Sequence, residues 1–260
     1  DAPFTVSTAD VSSTITCPKT IQKKAGGVVL LVHGTGSDAK KNWEGGPYLE
    51  QLPGLDPGFD VCYIDLPGHA LGDAQDTAEY VARAVQILAP QSSTKKVAFI
   101  AHSQGNLNVQ WALTFWPSIR SSVSSYAALA GDYKGTTIGA FLCDAQNLTT
   151  GGCLPATWQQ KPNSNFLQTL GNAGGLSALV PSTSLRTQYD DVVQPESGPE
   201  EQTSSYLAGA SNILLQDLCD AAHLADHFSM VVDSAAFEAA YQTVKLSQAI
   251  PKNQIDKRAC

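Results

Sequence analysis

The feature that most constrains this chain is the stretch 97–105, where an apolar run leads directly into Ala-His-Ser-Gln-Gly. The apolar run is typical of a buried strand, and residues 106–115 predict a helix directly after it. A strand that turns sharply into a helix around x-x-Ser-x-Gly is a nucleophile elbow, which holds a serine hydroxyl above the end of a parallel sheet. Its flanking positions must be small, as Ala101 and Gly105 are. Ser103 is therefore the predicted nucleophile, and a buried serine in an ordinary strand-to-helix turn is the alternative.

Alternating strand and helix patterns surround this elbow. The apolar run 27–33 predicts a central strand covered on both faces. Further strands are predicted at 59–65, 123–129, 184–189 and 212–218, helices at 73–88 and 229–246, and an extended, partly β lead-in at 1–26. The pattern predicts a single α/β domain over 1–260, with a mostly parallel central sheet flanked by helices on both faces. Residues 135–182 have a looser pattern, and we interpret them as loops and short helices that form the rim or lid of a substrate pocket. A structural excursion without substrate contact is the alternative.

Composition excludes several classes of protein. Hydrophobic residues make up 43% of the 260 residues and charged ones 15%, which indicates a folded core rather than disorder. The net charge of -8 argues against a nucleic-acid partner. No apolar run approaches the roughly 20 residues that a membrane-spanning helix needs. The polar start at Asp1 fits a mature secreted chain from which a signal peptide has been removed.

The cysteines form an even set without the close spacing of metal sites; they are Cys17, Cys62, Cys143, Cys153, Cys219 and Cys260. This set favours disulfides in a secreted protein, with about 15 pairings open, over reduced cysteines in a cytosolic one. Cys143 and Cys153 would close a short glycine-rich loop. The same loop carries the glycosylation sequon at Asn147. We expect no metal site.

Two strand ends supply candidate pocket residues. The strand at 27–33 ends in His-Gly followed by Thr35, where this architecture places an oxyanion donor, and Thr35 offers both its N–H and its hydroxyl. A plain glycine turn is the alternative. Asp132 follows the strand at 123–129, at the end of a parallel sheet where ligands bind. A turn-forming aspartate is the alternative there.

A serine nucleophile needs a base oriented by an acid. Asp190 and Asp191 follow the predicted strand 184–189, and the sequence pattern leaves the acid open between them. The chain has five histidines, and three of them precede these aspartates. His223 and His227 remain, and the loop position of His227 before the last helix favours it weakly. The order serine, acid, histidine is that of the α/β-hydrolases.

Several longer segments carry a resemblance to a known family. They are Leu-Val-His-Gly-Thr-Gly at 31–36, Ser-Gln-Gly at 103–105, Leu-Thr-Phe-Trp-Pro-Ser-Ile-Arg at 113–120, Asp-Tyr-Lys-Gly-Thr at 132–136, Asn-Ala-Gly-Gly-Leu at 172–176 and Asp-Asp-Val-Val-Gln-Pro at 190–195. With these segments, the chain from about 31 to 260 resembles the Candida antarctica lipase B family of secreted fungal lipases. The resemblance implies an α/β-hydrolase fold.

The resemblance also implies roles for individual residues. It implies Ser103 as nucleophile, Asp190 as acid and His227 as base. It implies an oxyanion hole from the backbone of Thr35 and Gln104 with the Thr35 hydroxyl. The other residues expected to contact substrate are Asp132 and Gln160 along the acyl side, together with His102 and Val192. Family pairing joins Cys17 to Cys62 and Cys219 to Cys260, which leaves Cys143 with Cys153.

Two departures from the family bear on the pocket. The family's namesake has a bulkier tryptophan at the position of His102, so we expect a wider and more polar alcohol side here. The chain ends at Cys260, short of a segment that walls the namesake's pocket, so we expect a more open mouth.

We therefore predict a secreted, monomeric serine ester hydrolase of the triacylglycerol lipase type that needs no cofactor. It would act through an acyl-enzyme, also transfer acyl groups to alcohols, and meet its lipid or ester substrate at an oil–water interface. One alternative is a carboxylesterase or acyltransferase for small soluble esters. Another is a binding module of the same fold without turnover.

Overall fold

The computed structural model describes residues 1–139, 143 and 152–260. Asn147 and most of the loop between Cys143 and Cys153 lie outside these residues. In the described part of the chain the strands are β1 (Ile15–Thr16), β2 (Val28–Val32), β3 (Asp60–Ile64), β4 (Val97–His102), β5 (Val123–Leu129), β6 (Ser182–Arg186) and β7 (Ser211–Leu214). They form one sheet in the order β1-β3-β2-β4-β5-β6-β7. All neighbours are parallel except β1 and β3.

The described α-helices connect and cover these strands. They are α1 (Thr8–Thr14), α2 (Ala39–Trp43), α3 (Pro47–Glu50), α4 (Ala74–Leu88), α5 (Gly105–Phe115), α6 (Pro155–Gln159), α7 (Asn165–Asn172), α8 (Leu215–Leu218) and α9 (Ser234–Leu246). Short 3-10 helices occur between them, including Ser229–Val231. No helix in the described ranges is both long enough and apolar enough to cross a bilayer.

The core lies in two layers, one on each face of the sheet. Side chains alternate between faces along a strand, so the fully buried β2 contributes to both layers. Val28, Leu30 and Val32 belong to the layer that α4 and α5 cover. Val29 and Leu31 belong to the layer that α2 and α9 cover. A mostly parallel sheet between two helical layers is the predicted architecture, and its strand ends position the site described below.

Two predicted elements near the ends of the chain are wrong in part. The lead-in was expected to be extended, but Thr8–Thr14 is helical because Ser7 accepts a hydrogen bond from the backbone of Asp10 and Val11 is buried. The predicted helix 229–246 is interrupted, since Asp233 caps a new helix by accepting a hydrogen bond from Ala236 N–H. Residues 229–231 form a separate 3-10 helix.

The predicted strand 212–218 is also shorter than expected. Strand pairing stops at Leu214, and Leu215–Leu218 forms a helical turn. Leu215 and Leu218 are both buried, and a spacing of three residues brings both to the same side of a helix. The pattern in sequence was therefore mixed, and the helical part was missed. The predicted strand 184–189 is observed as Ser182–Arg186.

Three disulfides are present in the described chain. They link Cys17 to Cys62 and Cys219 to Cys260, which are the pairs that the resemblance implies, and Cys143 to Cys153, the pair that was left over. The first ties the lead-in to β3, and the second ties the last residue to the segment before His227. Their sequence separations are 45 and 41 residues. In the chain-entropy model, loops of that size contribute about 4 kcal/mol each.

Candidate active site

The predicted nucleophile lies on a strained turn between β4 and α5. Ser103 has a φ of 54°, in the left-handed region that L-residues rarely adopt. The turn also brings α5 close to β2, since a Cβ at Gly105 would lie 2.7 Å from the carbonyl oxygens of Val32 and His33. A Cβ at Gly34 would lie 2.7 Å from Cβ of Ser103. These contacts explain why the elbow requires small residues around its serine.

Asn106 fixes this elbow from within α5, a role that sequence reasoning missed. Its Nδ2 donates to the carbonyl oxygens of Ser103 and Leu129, both at 2.9 Å. Its Oδ1 accepts from the hydroxyl of Tyr126 at 2.6 Å. The available signal was a polar side chain directly after the elbow, in the first turn of a helix that the structure buries almost entirely.

The structure brings the three predicted triad residues into one hydrogen-bonded chain. His227 Nε2 lies 3.0 Å from Ser103 Oγ, and His227 Nδ1 lies 2.9 Å from Asp190 Oδ2. All three side chains are buried. A serine hydroxyl, an imidazole and a carboxylate in this order can transfer the serine proton to the imidazole while the carboxylate holds the ring.

Burial and hydrogen bonding distinguish Asp190 and His227 from the alternative candidates, Asp191 and His223. Asp190 Oδ1 accepts from the backbone N–H groups of Val192 and Val193, at 2.9 and 2.6 Å. Asp191 is exposed to solvent. His223, the other candidate base, has its Nε2 2.7 Å from a carboxylate oxygen of Asp233, away from the nucleophile.

Thr35, Gln104 and Gln160 form a polar cluster beside Ser103. The Thr35 hydroxyl donates to Oε1 of Gln104. Gln160 Nε2 lies 2.8 Å from the Thr35 hydroxyl and 3.0 Å from Gln104 Oε1. Among the hydrogen bonds of the described residues, none uses the backbone N–H of Thr35 or Gln104. Two backbone donors next to the nucleophile therefore remain available to a bound group.

Two cavities meet at the nucleophile. We name the first, of about 150 Å³, the His102 cavity, and its own lining includes Lys41, Asn42, His102 and Val231. We name the second, of about 170 Å³, the Gln160 cavity, and its own lining includes Thr136, Ile138, Thr157, Gln160 and Val192. Both are also lined by Thr35, Ser103, His227 and Phe228. Three of the predicted substrate contacts, His102, Gln160 and Val192, thus lie at a cavity wall.

Asp132, the fourth predicted contact, is placed differently. It is fully buried and is not part of the lining of either cavity. Neither carboxylate oxygen has a hydrogen-bond partner within the described chain. Burial raises the pKa of Asp132 to about 7. Asp132 is therefore a buried acid without a hydrogen-bond partner among the described residues.

The burial of Asp132 predicts a pH-dependent stability. Its native pKa lies above the ordinary 3.8, so the native state holds a proton that the unfolded chain releases, and stability falls as pH rises from about 4 to about 7. Asp132→Asn removes this effect. The difference in unfolding free energy between Asp132→Asn and wild type should shift in favour of the variant by roughly 4 kcal/mol from pH 4 to pH 8.

Urea unfolding at a series of pH values measures this difference. The exposed Asp191→Asn is the matched control, and its stability should follow that of the wild type with pH. If the stability of wild type and of Asp132→Asn changes with pH in the same way, Asp132 has the same pKa in the folded and the unfolded state, which would contradict the prediction.

Within the described ranges, no group of three or more His, Cys, Asp or Glu residues is arranged to hold a metal ion.

Comparisons with known proteins show similarity in sequence and in fold. The profile of the alpha/beta hydrolase family matches residues 29–242. Lipase B from Pseudozyma antarctica is 34% identical over 245 residues, which cover 91% of this chain and 69% of that protein. The crystal structure of Aspergillus fumigatus lipase B superimposes with a TM-score of 0.89 at 30% identity, and covers all of this chain. This chain spans 63% of the length of the Aspergillus protein. The mature Bacillus licheniformis lipase BlEst2, at 14% identity and a TM-score of 0.58, covers 87% of this chain and 93% of its own and shares the fold.

Proposed function

The chain belongs to the alpha/beta hydrolase family, and we propose that it is a serine ester hydrolase of the lipase type. The observation that carries the proposal is the buried chain from Ser103 through His227 to Asp190, placed where two cavities meet. The similarity to lipase B proteins from two fungi supports the choice of carboxylic esters as substrates.

The reaction follows from the hydrogen bonds of the three residues. Ser103 Oγ attacks the ester carbonyl carbon while His227 Nε2 takes the hydroxyl proton. Asp190 holds the proton on Nδ1 and stabilises the charged ring. His227 then gives its proton to the leaving alkoxide oxygen, which departs as the alcohol and leaves an acyl-enzyme on Ser103. Water, activated by the same imidazole, attacks the acyl-enzyme and releases the acid. An alcohol in place of water gives a new ester.

The tetrahedral oxygen would be held by the backbone N–H groups of Thr35 and Gln104 together with the Thr35 hydroxyl. Gln160 Nε2 donates to that hydroxyl oxygen, so the hydroxyl proton can turn from Gln104 towards substrate without leaving the oxygen unpaired. In comparable sites one such donor contributes about 3 kcal/mol to the transition state.

The two cavities would separate the two halves of the ester. The Gln160 cavity has the apolar walls Ile138 and Val192 and would receive the acyl chain. The His102 cavity, with Lys41 and Asn42, would receive the alcohol. Among the described residues, those of segment 135–182 line the Gln160 cavity and not the His102 cavity. This supports the proposal that the segment forms the pocket rim of a single domain.

We further propose that the protein works outside the cell, as a monomer, on lipid at an oil–water interface. The three disulfides favour an oxidising compartment. Phe228, which lines both cavities, is 65% exposed, and Trp158, which follows Thr157 of the Gln160 cavity, is 52% exposed. Aromatic side chains at the mouth of a site can contact a lipid surface. Glycosylation at Asn147 belongs to the same proposal.

Hydrolysis of p-nitrophenyl esters from acetate to palmitate tests this function. Burial of each additional CH2 contributes about 0.8 kcal/mol, so we expect kcat/KM to rise about tenfold from acetate to butyrate as the acyl chain enters the Gln160 cavity. Activity should increase again where a substrate passes its solubility limit. A maximum at acetate would favour a carboxylesterase for small esters. Absence of hydrolysis for every ester would contradict the proposal.

A further inference from the structure

Two consecutive residues of the elbow bond to the same histidine. Ser103 Oγ meets the side chain of His227, while His102 Nε2 lies 2.9 Å from the backbone carbonyl oxygen of His227. The first contact belongs to the proposed chemistry, and the second does not involve a reacting atom. Together they connect the strand that carries the nucleophile to the loop that carries the base.

His102 must be the donor in its contact with His227, because a carbonyl oxygen carries no proton. Burial, with repulsion from His227, lowers the pKa of His102 to about 3, so the ring is neutral near pH 7. A neutral imidazole has one N–H, and here it is on Nε2. Nδ1 of His102 is therefore an acceptor.

Asn42 provides the matching donor. Asn42 Oδ1 lies 3.1 Å from His102 Nδ1, and Asn42 Nδ2 has no hydrogen-bond partner within the described chain. Turning the amide by 180° exchanges the two atoms and brings Nδ2 to Nδ1. Which amide atom faces a ring is decided by hydrogen-bond chemistry, and an acceptor nitrogen requires the NH2 group. Asn42 Nδ2 then donates to Nδ1, which holds the proton of His102 on Nε2. The bonds run in one direction, from Asn42 to His102 to the backbone of His227.

The other bonds that hold this loop lie to either side of His227. Thr187 Oγ1 donates to the carbonyl oxygen of Ala225 at 2.6 Å. The backbone N–H of Ser229 donates to a carboxylate oxygen of Asp226 at 2.7 Å. By contrast, His102 donates directly to the carbonyl oxygen of His227, and His102 is the residue next to the nucleophile.

We propose that His102 is a positioning residue, which holds the base at its working distance from Ser103 by donating a hydrogen bond to the backbone of His227, with Asn42 fixing the required tautomer. The inference rests on the proposed esterase function for its kinetic consequence. A displacement of about 1 Å between reacting groups can lower a rate about a hundredfold, so loss of this bond should act on kcat.

Matched substitutions at position 102 separate hydrogen bonding from shape. His102→Gln places an amide NH2 near the position of Nε2, whereas the shorter His102→Asn does not reach it and His102→Leu has no donor. We expect His102→Gln to keep kcat within about threefold of wild type. His102→Asn and His102→Leu should lower kcat about ten- to a hundredfold, with KM changed less than about threefold. Asn42→Leu should lower kcat about three- to tenfold, because it leaves His102 in place and only stops holding the His102 proton on Nε2.

Proton NMR gives a readout that needs no substrate. The proton shared by His227 Nδ1 and Asp190 should give a low-field signal in wild type and His102→Gln, and the signal should broaden or vanish in His102→Asn and His102→Leu. If wild type hydrolyses no ester, the esterase proposal fails while these spectra still test the positioning role.

Two results would overturn the proposal. One is wild-type kcat and an unchanged low-field signal in His102→Asn and His102→Leu. The other is an equal loss of kcat in His102→Gln and His102→Leu with the low-field signal intact, which would show that only the shape of His102 matters. If thermal melting shows that the position 102 variants are unfolded, Asn42→Leu at a half-buried position tests the proposal instead. An unchanged kcat in Asn42→Leu would contradict the role of Asn42 in fixing the tautomer of His102.

Discussion

We expect Ser103→Ala to lower kcat for p-nitrophenyl butyrate by about a millionfold, with the remaining rate supplied by the oxyanion donors and substrate binding. The Ser103 hydroxyl lies 3.0 Å from His227 Nε2, where it can act as the attacking oxygen, and alanine removes it without adding volume. The left-handed backbone at position 103 is unchanged, because alanine and serine have the same Cβ. A millionfold loss corresponds to about 8 kcal/mol of transition-state stabilisation.

Ser125→Ala is the matched control. Ser125 on β5 is also buried, its hydroxyl has no hydrogen-bond partner within the described residues, and it does not line either cavity. Its substitution should leave kcat within about twofold of wild type, as for a change outside the site. Retention of more than about a hundredth of the activity in Ser103→Ala would contradict a nucleophilic role, given the losses seen for such residues.

The second large effect is expected for Asp190→Asn, which should lower kcat about ten-thousandfold. The oxygen of the new amide would face the backbone N–H groups of Val192 and Val193, because only an acceptor can satisfy them. The NH2 group would then face His227 Nδ1 and force the imidazole proton onto Nε2. A ring protonated there cannot accept the proton of Ser103.

Asp191→Asn has the same change of charge one residue away. Asp191 is exposed and outside the hydrogen-bonded chain, so its substitution should change kcat less than about twofold. Steady-state kinetics on the same ester compares the two. Equal losses in both variants would mean that net charge near the site, and not the tautomer of His227, controls the rate.

The elbow was predictable because its constraints are local. A buried strand, a small-residue turn and a helix follow one another within the printed sequence, and each has its own pattern. The order of serine, acid and histidine along the chain was likewise readable. The family resemblance then singled out Asp190 and His227, which the structure joins in one chain with Ser103.

Other parts of the site depend on contacts between distant segments. Asp190 and Asp191 are alike in sequence, and only folding buries one and exposes the other. Asn42 and His102 are 60 residues apart, so nothing local indicates their contact. Asp132 follows a strand at the ligand end of the sheet, as expected, yet its side chain is fully buried and is not part of the lining of either cavity. The sequence locates a strand end, whereas packing determines what its side chains meet.

Covalent trapping tests the central claim most directly. A p-nitrophenyl alkylphosphonate reacts with an activated serine, releases p-nitrophenolate and leaves a stable adduct that mimics the tetrahedral intermediate. We predict release of one equivalent per protein, loss of ester hydrolysis in step with it, and an adduct that peptide mass spectrometry assigns to Ser103. An adduct on another residue, or full ester hydrolysis after Ser103 is modified, would contradict the account.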